Sequence, residues 1–206
     1  MTQSAPSGLP AVPLLDWGAH ITHVFDGGDE LAGVLVPFFK AGLENHEMCL
    51  WITGPGFNSE DARSALRAVV PGFGLREQVG QIQIVDAEDW YKAGQKIDPR
   101  ALLAGLLQKE QQALAGGYMG LRASGNCSWV SNEQWPDFQD YELMVRGTVT
   151  GRRLICLCSY CLDQVRNGSQ IDILTRHDLV LPSVRGTARF RNQTAEPPDL
   201  GDGETK

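Results

Sequence analysis

Strand-like and helix-like segments alternate along this chain, and that alternation admits few folds. The strand-like runs are HITHVF (20–25), MCLWIT (48–53), QIQIVDA (81–87), YMGLRA (118–123), RLICLCSY (153–160) and LVLP (179–182). MCLWIT is apolar without a break, the mark of a strand buried on both faces. Between the runs lie segments of helical period. Residues 29–44 place Leu31, Val34, Leu35, Phe38 and Leu43 on one side, with Asp29 and Glu30 at the favourable N-terminal end. Pro37 inside that pattern is expected to kink or split the helix. Ser59 is read as the cap of a helix burying Ala62, Ala65, Leu66 and Val69. Pro99 opens a helix carrying Leu102, Leu103, Leu106, Leu107 and Leu114, stopped by Gly116-Gly117. Asn132 is read as the cap of a helix with Trp135, Phe138, Tyr141, Leu143 and Met144, and Ile171–His177 as a last helix. Connections of more than ten residues between strands call for parallel pairing. The fold class is therefore α/β: three layers, with a mainly parallel sheet covered by helices on both faces.

The chain has 206 residues, 42% of them hydrophobic, which suits one core. Residues 1–15 are rich in Pro, Ser and Gly and read as a flexible N-terminal segment. Residues 16–190 read as a single domain, and 191–206 as a disordered acidic tail. A net charge of −7 argues against direct nucleic-acid binding. The densest basic stretch, Arg185, Arg189 and Arg191, reads as a solvated edge. No run of about 18 apolar residues is available to span a membrane. The first residues lack the charged and apolar regions of a signal peptide, so the expected location is cytoplasmic. Five cysteines do not form a disulfide framework and are expected as thiols. No Ser–His–Asp signature, H-E-x-x-H or glycine-rich dinucleotide motif occurs. The expectation is a non-enzymatic protein with no cofactor.

One loop stands where a phosphate cradle would. The strand 48–53 runs into Gly54-Pro55-Gly56-Phe57-Asn58-Ser59-Glu60-Asp61 and then a helix, the context of G-x-x-x-x-G-K-[ST]. Aligned on Gly54, Glu60 stands for the lysine and Asp61 for the magnesium-holding hydroxyl. Two carboxylates at that helix N-terminus repel a triphosphate and take the favourable dipole position themselves.

Further residues match a pattern in order and spacing: Gly18, His20-Ile21, His23, Phe25, Glu30, Pro37-Phe38, Gly42-Leu43, Trp90-Tyr91, Gly120-Leu121-Arg122, Trp129, Tyr141-Glu142, Leu154–Tyr160 and His177. Over about residues 16–182 the chain resembles the MEDS (methanogen/methylotroph, DcmR sensory) family. The resemblance implies a RecA/KaiC-like fold with a degenerate phosphate loop. It also implies a sensory role toward small organic compounds, hydrocarbon derivatives among them, beside DNA-binding regions or histidine kinases. No output domain is recognisable in these residues, so the expected signalling passes through a regulatory partner, a kinase or a transcription regulator. A homodimer stays open. The alternatives are a KaiC-like nucleotide-binding protein or enzyme with an unorthodox site, and a metal or redox sensor.

The candidate ligand-binding residues are His20, His23, Tyr91, Arg122, Trp129, Tyr141 and Glu142. His20 and His23 lie three apart on a strand and tend to opposite faces; each is either a structural histidine or a contact near a pocket mouth. Arg122 ends a run expected to be buried and needs a partner, either Glu142 or an anionic ligand. Tyr91, Trp129 and Tyr141 present flat faces with polar tips near strand carboxyl ends, either as core or as the lining for a small organic molecule. Cys156 and Cys158 share a strand face and Cys161 follows at the strand end. The three are either small buried hydrophobes or, joined by His20, His23 or His177, a metal site.

Overall fold

The computed structural model describes residues 3–91, 96–166 and 177–181. An antiparallel hairpin, β1 (Ser4–Leu9) and β2 (Val12–Asp16), precedes the alternating part. There follow β3 (His20–Phe25), α1 (Gly28–Glu44), β4 (Met48–Thr53), α2 (Ser59–Val69), α3 (Phe73–Gln78), β5 (Ile82–Asp86) and α4 (Ala87–Tyr91). After these come α5 (Pro99–Ala115), β6 (Leu121–Asn126), α6 (Trp135–Val149), β7 (Leu154–Cys161), α7 (Leu162–Arg166) and β8 (Leu179–Leu181). The six-stranded sheet has the order β5-β4-β6-β7-β3-β8, and every pairing in it is parallel. This is the expected α/β architecture.

Strand parity divides the core into two layers. Val24, Leu50, Ile52, Ala123 and Cys156 face a layer built on α5 and α6. Ile21, Phe25, Cys49, Trp51, Ile155 and Leu157 face the layer of α1, α2 and the hairpin. Neighbouring residues such as Leu50 and Trp51 thus enter different layers, and every residue of β4 is buried.

Several details differ from the sequence reading. The N-terminal segment expected to be loose is ordered from Ser4: Ala5, Ser7 and Leu9 alternate inward, and the hairpin packs on α1. A Cβ at Gly8 would lie 2.1 Å from the Pro37 carbonyl oxygen, so glycine is what lets the hairpin approach so closely. A Pro/Ser/Gly-rich composition concealed a period of two. Helix α1 continues through Pro37 instead of splitting. Proline deprives the carbonyl four residues back of its donor, and that residue, Gly33, is exposed, where water can serve. Strand β6 begins at Leu121, three residues later than expected, and extends through Ser124, Gly125 and Asn126. Those residues have little strand propensity; burial between β4 and β7 holds them extended. The cap of α2 is Asn58, not Ser59, and α6 starts at Trp135, after Gln134 rather than Asn132. Leu114 and Leu143, expected inside, are exposed. The helix expected over 171–177 falls, except for its last residue, outside the described residues, as does the acidic tail. Among the described residues no helix is long and apolar enough to cross a membrane.

Candidate functional site

Strands β3 and β7 pair in register, His20 opposite Cys156 and Thr22 opposite Cys158. His20 and Cys158 point to the α6 side of the sheet. Helix α6 lies across that face with Phe138, Tyr141, Glu142 and Val145 inward, so its inward arc carries one carboxylate. The residues before β8 complete the group. Asp178 accepts from the His20 amide (3.1 Å) and its own amide donates to the His20 carbonyl (2.8 Å), which fixes His177 beside β3.

Four side chains converge there. Glu142 Oε2 lies 3.2 Å from His20 Nε2 and 3.1 Å from His177 Nε2. Cys158 Sγ lies 3.5 Å from His20 Nε2 and 3.5 Å from Glu142 Oε1. The two imidazole rings are 4.0 Å apart between centroids. Donor atoms of all four residues lie within 4.8 Å of one another. His20, Glu142 and His177 are buried, and Cys158 lines a small neighbouring cavity.

The charges are mutually dependent. Burial pushes the Glu142 carboxyl up, but His177 and His20 together hold it below the ordinary carboxylate range. Burial pushes His177 down, and contacts with Cys158 and Glu142 overcome it, raising this imidazole to about 10. Burial dominates at His20 and lowers it despite Glu142. The Cys158 thiol is pushed well up by its hydrogen bond with Cys127, by burial and by the Glu142 charge. A carboxylate and an imidazolium thus form a buried pair, flanked by a neutral imidazole and a thiol. Two imidazoles, a thiol and a carboxylate are also a set of ligands suited to a transition metal.

The other candidates are distributed differently from the sequence reading. Arg122 stands near the amino end of β6, remote from the carboxyl edge, and its partner is Glu47, not Glu142. Nε donates to Glu47 Oε2 (2.6 Å) and Nη2 to Glu47 Oε1 (2.9 Å). Nη1 donates to the carbonyls of Phe38 (2.8 Å) and Ser7 (3.2 Å), and Nη2 also to that of Pro6 (2.7 Å). All five guanidinium donors are used, and none is left for a ligand. His23 faces the opposite layer, beside Phe25, and burial lowers it to about 4.

Tyr91, Trp129 and Tyr141 do meet near the carboxyl ends of the strands, but against one another. Tyr91 stacks on Trp129 with centroids 4.8 Å apart and meets Tyr141 edge-on at 6.5 Å. The cavity beside Tyr91, Tyr141, Ser124, Gly125 and Cys158 measures about 20 Å³, room for roughly one water. The open crevice expected there is filled by its own aromatic side chains. The cysteine triad does not converge either. Cys156 and Cys158 share a face, while Cys161 packs toward the opposite layer. All five cysteines are free.

The loop after β4 is closed. Pro55 and Gly56 (φ 85°) form a tight turn, sealed by Phe57 N donating to Gly54 O (3.2 Å). Asn58 Oδ1 accepts from the amides of Glu60 (2.9 Å) and Asp61 (3.0 Å), and Asp61 reaches back to the Asn58 amide (3.1 Å). Thr53 and Ser59 hydroxyls donate to Asp86 Oδ1 at 2.7 and 2.6 Å. Asn126 Nδ2 bridges to Pro55 O (3.2 Å). Amides that would receive a phosphate at this helix start are occupied by the protein itself.

The parallel six-stranded sheet covered by helices is an α/β fold, and its likeness to solved structures is to KaiC-like folds. The chain is similar to a KaiC-like protein from the hyperthermophilic archaeon Pyrococcus horikoshii OT3, with a TM-score of 0.55, 14% identity, and coverage of 78% of this chain and 71% of that one. It is also similar to the flagellar accessory protein FlaH from Methanocaldococcus jannaschii, with a TM-score of 0.51, 8% identity, and coverage of 81% and 71%. At these identities the likeness concerns the fold alone. Residues 19–178 match the model of the MEDS family, the methanogen/methylotroph, DcmR sensory domain, and the chain belongs to that family. No curated protein matches it.

The convergence of His20, Glu142, Cys158 and His177 was not legible from spacing. One signal was available: Glu142 stands on the inward arc with Phe138, Tyr141 and Val145, where an unpartnered carboxylate is not tolerated.

Proposed function

We propose that this chain is a non-catalytic sensory domain that binds a small organic compound and reports to a regulatory protein, a kinase or transcription regulator, in the cytoplasm. Family membership supports the sensory role. The observation that carries the non-catalytic part is the closed loop. Asn58 takes the helix amides, Asp86 takes Thr53 and Ser59, and Glu60 and Asp61 supply negative charge where a nucleotide would bring its own. The ligand is small and mostly apolar, entering beside Tyr91, Trp129 and Tyr141 by parting the aromatic cluster around the existing cavity.

Two titrations test this. Calorimetry with Mg-ATP is expected to show no saturation in the micromolar range, about −8 kcal/mol at 1 µM; saturation with turnover would favour a nucleotide-processing protein instead. Tryptophan fluorescence is then followed while short-chain hydrocarbon derivatives are added. A saturable change that disappears in folded Trp129→Phe is expected; saturable binding by another readout, unaltered by that change, would place the ligand elsewhere.

A further inference from the structure

We infer that His20, Glu142, Cys158 and His177 form a binding site for one divalent transition-metal ion, zinc being the best fit. This inference stands apart from the sensory reading and needs neither an organic ligand nor a partner. It rests first on geometry. Tetrahedral zinc with bonds of about 2.0–2.1 Å to N or O and about 2.3 Å to S has N···O edges of about 3.3 Å and S···N or S···O edges of about 3.5–3.6 Å. The observed edges are 3.2 and 3.1 Å from Glu142 Oε2 to the two imidazoles and 3.5 Å from Cys158 Sγ to His20 Nε2, while Cys158 meets Glu142 at its other oxygen, Oε1, also at 3.5 Å. With one donor atom from each residue, all four lie within 4.8 Å of one another, so short side-chain shifts would bring them to the corners of a coordination tetrahedron.

Chemistry selects the ion. Two imidazole nitrogens, a thiolate and a carboxylate are a mixed, borderline-soft set that suits zinc and its neighbours and disfavours magnesium or calcium. A carboxylate and a thiolate supply the two negative charges that balance a divalent ion, so the occupied site leaves no unpaired charge in the core.

The elements also suit the role. The donors come from β3, α6, β7 and the residue leading into β8, so one ion would tie three strands and a helix. The Asp178 amide donating to the His20 carbonyl, and the His20 amide donating to the Asp178 carboxylate, set the His177 position independently of the four donor side chains. Cys156 and Cys161 are not part of the site, which distinguishes it from the three-cysteine arrangement suggested by spacing.

Cobalt(II) is the probe. The full chain, purified without a metal-chelating tag, reduced and stripped with a chelator, is titrated with Co²⁺ and then with Zn²⁺. The expected result is one equivalent of cobalt per chain, with intense visible d–d bands typical of tetrahedral coordination and a near-ultraviolet thiolate-to-cobalt band, both bleached by zinc. In Cys158→Ser the thiolate band is lost, and in His177→Gln affinity falls about tenfold or more. Cys161→Ser, a change on the opposite face, leaves the spectrum intact. The wild-type titration decides the matter even if a variant fails to fold. Absence of stoichiometric cobalt and zinc binding by folded wild-type protein overturns the site, as does a thiolate band retained in folded Cys158→Ser or lost in folded Cys161→Ser.

Discussion

Replacing Arg122 with alanine is expected to unfold this domain or bring it close to unfolding, with the hairpin the first part to loosen. The guanidinium is fully buried and makes five hydrogen bonds, two of them a bidentate pair with the equally buried Glu47. It also lies over the Phe38 ring, 4.6 Å from its centroid. Its removal strands the Glu47 carboxylate, which keeps only the 2.8 Å bond from Asn45 Nδ2. It also deprives the Pro6, Ser7 and Phe38 carbonyls of their donor. Breaking a buried pair from one side costs about 3–5 kcal/mol, a large share of the roughly 5–15 kcal/mol that holds a domain folded. Urea unfolding followed by tryptophan fluorescence and far-ultraviolet circular dichroism measures the loss. Glu47→Gln is expected to cost less, because the amide oxygen still accepts from the guanidinium. The double change Arg122→Met with Glu47→Leu is expected to recover part of the loss, because no charge is then left buried. The structural assignment is refuted if Arg122→Ala unfolds at the wild-type urea concentration. Such a result would return Arg122 to the role of a ligand anchor.

Three further outcomes are expected. His23 titrates at about 4 in the folded protein, below the 6.5 of an unburied imidazole, because burial disfavours its charged form. The unfolded chain then takes up this proton first, so the contribution is fully present above about pH 6.5 and is lost as pH falls toward 4, at up to about 1.4 kcal/mol per pH unit; His23→Phe should flatten the acid-side slope of stability, so that the wild-type minus variant difference falls as pH drops from about 6.5 to about 4, and an unchanged acid slope in urea midpoints would contradict it. Asn58→Ala removes the capping box of α2 and should lower stability by about 1 kcal/mol in the same unfolding assay, with no loss indicating that water replaces the cap. At Gly125 an added Cβ would stand 2.2 Å from Tyr91 Oη, so Gly125→Ala should cost about 1–3 kcal/mol; Tyr91→Phe in the same chain should restore part of it, and equal cost in both backgrounds would mean that the clash is with something else.

Much of the fold was legible because its signals are local. Continuous apolar runs, proline at a helix start and glycine pairs at a helix end act within a few residues, and parallel pairing follows from connection length alone. The β6 boundary slipped because Ser124, Gly125 and Asn126 have no strand signature of their own. The hairpin was missed because its inward residues, Ala5, Ser7 and Leu9, are small or lie among turn-forming ones, and its anchor, Arg122, is 115–116 residues away along the chain.

By itself the sequence determined the class of architecture, the family, the acidic replacement of the phosphate-binding lysine, and the opposite facing of His20 and His23. Each follows from residue identity and short-range period. The tertiary structure alone decided which charges meet. Arg122 has Glu47 and not Glu142, and Glu142 has His20 and His177. It decided too that Cys158 joins the histidines while Cys161 turns to the other layer, and that Tyr91, Trp129 and Tyr141 close on one another. Partner choice among buried polar groups depends on strand order and on the depth at which each helix crosses the sheet. These are set by packing across residues far apart in the chain and leave no trace in local spacing.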